Sequence, residues 1–434
     1  MCSTSDSIPN TNSSLHYEKI TYYFGSFLLI VLPNHDIVNW LVSNTYFSIW
    51  KQVLALISAA LTILILSKKR SLRNNNTKNL RLLLLVLLFM AITLSLVAFL
   101  YGFSSYRITY GVISYIGFIG ALGFITTSMT LGKILLTLRL SALLGIISSF
   151  GLIIDYSTGY LDFLPKSQEM TAFEQLDSND LRRASFLFGA STIIFPFISF
   201  TIFSSIILFI KSQKKHDGIY LLTLVFLSPI AIFLTGSRSQ LILVIFFLCI
   251  SLFIIIKKLL KLRFILLFFI SSVILIQFTI KEFMQINQST MLSERYLNSF
   301  NQTDDRVLLW KDSVALLYRP ESIFGIGIGS SLGMVKDGHV ETSHYESSFF
   351  QALSEGGYLG ILLRFLPLIL GLLFLLKSRK TNKIIRKLMI LWFITYFISV
   401  FTAPTAAAYH TQYVYFIMVA LAIKNKLFFE KINQ

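Results

Sequence analysis

Charge is scarce in this chain. Only 14% of its 434 residues are Asp, Glu, Lys or Arg, against 55% hydrophobic residues and a mean hydropathy of +0.70. A soluble surface needs about 25% charge, so an ordinary soluble globular domain is excluded. Cysteine is nearly absent. Cys2 and Cys249 offer neither a disulfide framework nor a thiolate metal site. No HExxH is present; His339 and His344 are interleaved with Glu341 and Glu346 at spacings that suit no zinc site, so no metal is expected. The glycines at 325, 327 and 329 lack the GxGxxG spacing and a βαβ setting, so no dinucleotide cofactor is expected. No small-x-small cleavage site follows Leu32, so the first apolar run is expected to stay in the protein. An internal repeat is also missing, which weakens a transporter built on inverted halves.

What the chain has is apolar runs of bilayer length. They predict an all-α polytopic membrane protein of about twelve transmembrane helices in a single domain, residues 1–434. The spans are Tyr22–Leu32, Tyr46–Ser67, Leu82–Leu100, Ile108–Met129, Leu138–Ile154 and Ser185–Ile210, where Pro196 predicts a kink. They continue with Ile219–Leu234, Leu241–Ile256, Phe264–Ile280, a long run from Ser347 towards Leu376, Leu388–Phe401 and Gln412–Ile423. Gly356, Gly357, Gly360 and Pro367 offer places to bend the long run.

The net charge of +17 sits in short links: Lys68, Lys69, Arg70, Arg73, Lys78 and Arg81 in one, Lys377, Arg379, Lys380, Lys383, Arg386 and Lys387 in another. Such clustering is the positive-inside pattern, which places these links and both termini in the cytoplasm and argues against nucleic acid. Anionic membrane lipid is attracted by the same charge. Two polar excursions then lie outside, 155–184 with the adjacent Arg182 and Arg183, and 281–346 with six basic and nine acidic residues.

The large excursion holds most of the candidate chemistry. Val307, Trp310, Val314 and Leu317 recur at helical spacing and predict a short amphipathic helix lying on the membrane or the bundle. Arg306 at its start suits either a ligand or a salt bridge with Asp304 or Asp305, and Trp310 suits either interfacial packing or sugar stacking. Two readings also stand for residues 323–331: a rim whose N–H groups meet a substrate, or a tight turn back to the membrane. Arg238, in the turn Gly236-Ser237-Arg238-Ser239, is either an exposed turn residue or a phosphate fork. His344, Glu341 and Glu346 stand where the chain returns to the membrane, as interfacial hydrogen-bonding groups or as a base for a hydroxyl.

Four fragments, in order, carry a resemblance: Leu234-Thr-Gly-Ser-Arg238; Asp305-Arg306 with Trp310; Arg319-Pro320 with Phe324-Gly-Ile-Gly-Ile-Gly329; and His344 followed by Leu353-Ser-Glu-Gly-Gly-Tyr-Leu-Gly360. The pattern resembles the O-antigen polymerase and O-antigen ligase superfamily of bacterial integral-membrane glycosyltransferases. The resemblance implies a GT-C-like fold in the inner membrane. It also implies metal-independent transfer of sugars from undecaprenyl pyrophosphate at the outer face, without a cofactor. Lipid-linked glycans are the implied donor and acceptor, with a flippase and a chain-length regulator as pathway partners. It assigns Arg238 and Arg306 to the donor diphosphate and His344 to catalysis or acceptor handling; apart from the resemblance, Glu341 or Glu346 is expected as the base in place of His344. Arg319, Arg182, Arg183, Trp310 and Tyr345 are expected to line the substrate site. Many members carry Asn after the histidine where this chain has Tyr345, which favours a polymerase over the alternatives of a ligase or a polysaccharide-lipid transporter.

Overall fold

The structure is a computed structural model that describes residues 11–34, 38, 50–68, 75–122, 131–158, 186, 193–211, 215–259, 311, 314–315, 318, 323–330, 334–336, 339–341, 347–377, 382–403 and 408–429. Its helices are α1 (Thr11–Val31), α2 (Trp50–Lys68), α3 (Asn75–Leu100), α4 (Ser105–Ile116), α5 (Leu131–Thr158), α6 (Phe195–Lys211), α7 (Lys215–Leu234), α8 (Arg238–Leu259), α9 (Ser348–Lys377), α10 (Lys383–Thr402) and α11 (Tyr409–Phe429). One antiparallel hairpin, β1 (Met334–Lys336) with β2 (His339–Glu341), precedes α9.

The expectation of about twelve spans in a GT-C-like architecture is corrected here. Among the described residues there are eleven helices, and five are long and apolar enough to cross a membrane: Arg81–Leu100, Gly132–Ser157, His216–Leu234, Ser348–Lys377 and Lys383–Thr402. Four apolar helices are shorter, Lys19–Val31, Trp50–Leu64, Phe195–Lys211 and Ser239–Ile255. The physical reasons are local. The run Ile108–Met129 does not form one rod, because α4 stops at Ile116, residues 117–119 form a turn and helix begins again at 120–122. Pro196 does not kink a long helix; it sits in the first turn of α6, where its missing N–H costs no hydrogen bond. Phe264–Ile280 lies outside the described residues, as does the amphipathic helix apart from Lys311, Val314, Ala315 and Tyr318. Several long apolar helices are consistent with a multi-pass membrane protein.

Helix directions give the bundle two unlike ends. The links between α2 and α3, α6 and α7, and α9 and α10 fall at one end and carry the clustered Lys and Arg residues. The other end, called the loop end below, gathers the close of α3, α7 and α10 and the start of α4, α6, α8 and α11. Near the basic end a forked ion pair fastens α5 to α7: Arg139 Nε to Asp217 Oδ1 at 3.1 Å and Nη2 to Oδ2 at 3.0 Å, with Asp217 buried. Between the ends the core is packed with aromatic rings, including Trp392 stacked on Tyr396 at 5.2 Å and Tyr396 on Tyr415 at 4.8 Å.

The long run from Ser348 is not one rod either. Gly357 adopts φ 56° and ψ −145°, which no helix contains. The chain folds back there into two antiparallel limbs, 348–356 and 358–377. Phe349 meets Phe365 at 6.0 Å, and Arg364 Nη1 reaches the Ser348 carbonyl at 3.5 Å. Gly360 lies so close to Ala352 that a Cβ would strike the Ala352 carbonyl. The second limb alone, at 1.5 Å per residue, is about 30 Å long.

Residues 323–330 dock against the apex of this hairpin. Ile326 N donates to Ser354 O and Gly327 N to Glu355 O, both at 2.9 Å, while Leu359 N donates to Ile323 O at 3.1 Å. The helix break leaves those groups without helical partners, and the loop supplies them. Gly325 has φ +65°, and a Cβ there would sit 2.5 Å from Ser354 O. Gly325→Ala should therefore lower stability by about 1–3 kcal/mol. We expect thermal unfolding of the purified protein in detergent to show a lower midpoint. Gly218→Ala, with no atom closer than 3.8 Å to the new Cβ, should leave the midpoint unchanged or slightly raised.

Candidate active site

Arg238 opens α8 at the loop end, and its turn is fixed from both sides. α7 closes with Thr235 N on Ile232 O at 3.2 Å and Gly236 N on Phe233 O at 3.0 Å, with Gly236 at φ +68°. Ser237 starts the next helix: Leu241 N donates to its carbonyl at 3.0 Å. Gln240, fully buried two residues on, accepts from Phe195 N at 3.0 Å and so caps the start of α6. The start of α11 joins them, because His410 Nε2 lies 3.2 Å and Thr411 Oγ1 3.4 Å from Ile193 O. Three helix beginnings thus meet around the Arg238 turn, and their first-turn N–H dipoles favour negative charge at this end.

The return of the large excursion is fixed at the same end. Ser347 Oγ donates to Val400 O at 3.2 Å, and Ser348 N donates to Ala403 O at 3.2 Å. Phe349 stacks on Phe401 at 4.2 Å. Behind this point lies a buried polar group drawn from three helices, α4, α9 and α11. Arg364 stacks 4.1 Å over the Tyr115 ring, and its own carbonyl accepts from Tyr415 OH at 3.2 Å. Glu355, on the other limb, is fully buried; Gln351 Nε2 donates to its Oε1 at 3.3 Å. Both Glu355 and Arg364 act electrostatically on Tyr115. Gln412 Nε2 donates to Ser114 O one residue away, tying α11 to α4.

Of the residues singled out in the sequence, the structure fixes the backbone of Arg238 at the start of α8 and of Glu341 on β2. Arg182, Arg183, Arg306, Trp310, Arg319, His344, Tyr345 and Glu346 lie outside the described residues. The glycine segment is the turn rather than the substrate rim at Ile326 and Gly327, whose N–H groups are spent on α9 carbonyls. Among the described residues no group of three or more His, Cys, Asp or Glu is placed to hold a metal. The sequence reading missed Arg364 and Tyr115. A lone arginine inside the apolar run Ile361-Leu-Leu-Arg-Phe-Leu was the available signal, because hydrocarbon tolerates such a charge only with partners. The β-hairpin was missed too, although Asp337-Gly338 between two extended runs is a hairpin turn signal.

The Arg238 turn, the docked glycine loop and the hairpin through Arg364 fall within one stretch of chain. Residues 222–366 match the family model for O-antigen ligase. A domain of that broad bacterial superfamily is therefore present over about a third of the chain. The description is that of the ligase, the alternative in the sequence reading, rather than of the polymerase. No curated protein matches the chain.

The convergence around Arg238 gives a direct test. Gln240→Leu leaves the Phe195 N–H buried without its acceptor, at a cost of about 1–3 kcal/mol. A lower thermal midpoint in detergent, together with loss of function in complementation, is the expected result.

Proposed function

We propose that this protein is a metal-independent glycosyltransferase that moves a glycan from undecaprenyl pyrophosphate to lipid A-core, as an O-antigen ligase. The observation that carries this reading is the ligase-family match over 222–366, which spans both the Arg238 turn and the return of the large excursion at Ser347. The basic links at the opposite end support a cytoplasmic placement for that end, with the loop end facing outwards. In this reading the chain is one membrane domain of the bacterial inner membrane, with both termini cytoplasmic and 155–184 and 281–346 as outer loops.

The polyprenyl tail lies among the helices while Arg238 and Arg306 neutralise the diphosphate. Negative charge grows on the departing phosphate oxygen as the glycosidic bond breaks, and a guanidinium fork stabilises that oxygen more in the transition state than before it. His344, or Glu341 or Glu346 in its place, takes the proton of the acceptor hydroxyl as the new bond forms. The proton ends on that base and the electron pair of the broken bond on the diphosphate, so no metal enters the balance. Direct displacement inverts the anomeric centre. Arg319, Arg182, Arg183, Trp310 and Tyr345 line the glycan and diphosphate path, and a flippase of the same pathway delivers the donor.

Polymerisation is the second reading, favoured by Tyr345 after His344. There the acceptor is another lipid-linked repeat unit and a chain-length regulator is the partner. Lipopolysaccharide from a deletion strain distinguishes the two. Bare core with accumulated lipid-linked chains is expected for a ligase; core bearing a single repeat unit would establish the polymerase instead. In complementation, Arg238→Ala, Arg306→Ala and His344→Ala should each reduce product more than a hundredfold at unchanged membrane abundance. Full product from either arginine variant would remove it from the diphosphate role.

A further inference from the structure

We propose that residues 323–330, within the large excursion, sit in the lipid headgroup layer at the loop end, with Ile323 and Phe324 turned to lipid. The inference needs only that the bundle spans a bilayer and is independent of the reaction proposed above. Two helices set the level of that layer. An exposed apolar stripe runs along α3 through Leu82, Leu85, Phe89, Ile92, Leu96 and Phe99, at the three-four spacing of one helix face. A second runs down the 358–377 limb of α9 through Tyr358, Leu362, Ile369, Leu373 and Leu376.

The stripes have matching lengths and matching borders. At 1.5 Å per residue, 82–100 and 358–376 each rise about 27 Å, close to the roughly 30 Å of a hydrocarbon core. At the basic end each stops beside a cation, Arg81 on α3 and Lys377 on α9. At the loop end each stops at a tyrosine, Tyr101 at 56% and Tyr358 at 54% exposure. Cations and amphipathic rings are the side chains that membrane borders collect. Tyr101 and Tyr358 therefore mark the border at the loop end.

Residues 323–330 are fastened at that level. Leu359 N, one residue past Tyr358, donates to Ile323 O at 3.1 Å. A Cβ on Gly327 would lie 3.0 Å from Ala98 Cα, so the segment passes close against the last turn of α3. Ile323 is 54% and Phe324 39% exposed there, although Ile328 of the same segment is fully buried. The two exposed side chains thus extend the apolar surface of the stripes at the border, where lipid covers it. A glycan is the poorer occupant. Ile323–Gly329 has no polar side chain, and the N–H groups of Ile326 and Gly327 are already given to Ser354 and Glu355. Little is left there for a sugar hydroxyl to bond.

The experiment places the full-length protein, with Cys2→Ser and Cys249→Ala, in nanodiscs of phosphatidylcholine and phosphatidylglycerol. A nitroxide is attached at Ile323→Cys or Phe324→Cys, and its relaxation is read with oxygen, which enters lipid, and with a nickel chelate, which stays in water. Leu96→Cys in the α3 stripe reports hydrocarbon, and the exposed Lys383→Cys at the basic end reports water. Labels at 323 and 324 should meet the chelate at least about fivefold less than the label at 383, and oxygen less than the label at 96. Their depth should match that of a label at Tyr358→Cys. Chelate access equal to that at 383 would overturn the proposal, since the segment would then face water and suit a glycan. Exclusion of both reagents would overturn it too, because protein would cover the patch. Phe324→Trp gives the same reading without a label. Its added fluorescence over the unsubstituted protein should be quenched more by phospholipid brominated near the headgroup than by phospholipid brominated near the chain end. Equal or absent quenching would sink the placement even if no labelled variant accumulated.

Discussion

The hydrogen bonds that residues 323–330 lend to the break in α9 are the constraint on which this end of the molecule depends. A helix interrupted within a bundle leaves carbonyls and N–H groups without helical partners, and where they belong to buried residues, as at Ser354 and Glu355, each costs several kcal/mol if left unmet. Ile326, Gly327 and the Ile323 carbonyl satisfy them. The loop is thus as much a part of the bundle as the helices are. Its glycines follow from the closeness of that fit. Gly325 needs its positive φ and room beside Ser354 O, and a side chain at Gly111 would meet the Gly329 backbone at 2.7 Å. The two faces of the loop are clasped by α9 and by α4.

From that dock the consequences spread outwards. Because the apex is held, limb 348–356 can run against limb 358–377, and because the limbs are antiparallel, Arg364 meets the start of the first limb rather than lipid. Because Ser347 and Ser348 are tied to the end of α10, the return of the excursion is brought to the end that also holds the Arg238 turn. The forked Arg139–Asp217 pair braces α5 and α7 near the far end. The two ends accordingly differ in kind: one has short links rich in Lys and Arg, the other has buried caps, glycines at positive φ and helix starts.

Much of this was legible in the sequence, and the failures have physical causes. Apolar runs mark helices, and α3, α5, α7 and α10 lie where the runs are. Clustered Lys and Arg mark the links, and helix directions gather those links at one end. Hydropathy, however, sums over a window and is blind to direction. A 30-residue run from Ser348 reads the same whether it is a rod or a hairpin, and only Gly356-Gly357 hints at the fold-back. Pro196 was misread as a kink because a proline's effect depends on whether an N–H partner exists, which is a matter of helix start. The meeting of Glu355 and Arg364 at Tyr115 joins residues roughly 240 positions apart, and no periodicity reveals it. The Arg238 turn was legible as a tight turn because glycine and serine flank it. That Gln240 caps α6 from there was not, since a glutamine at the head of an apolar run looks like any interfacial polar residue.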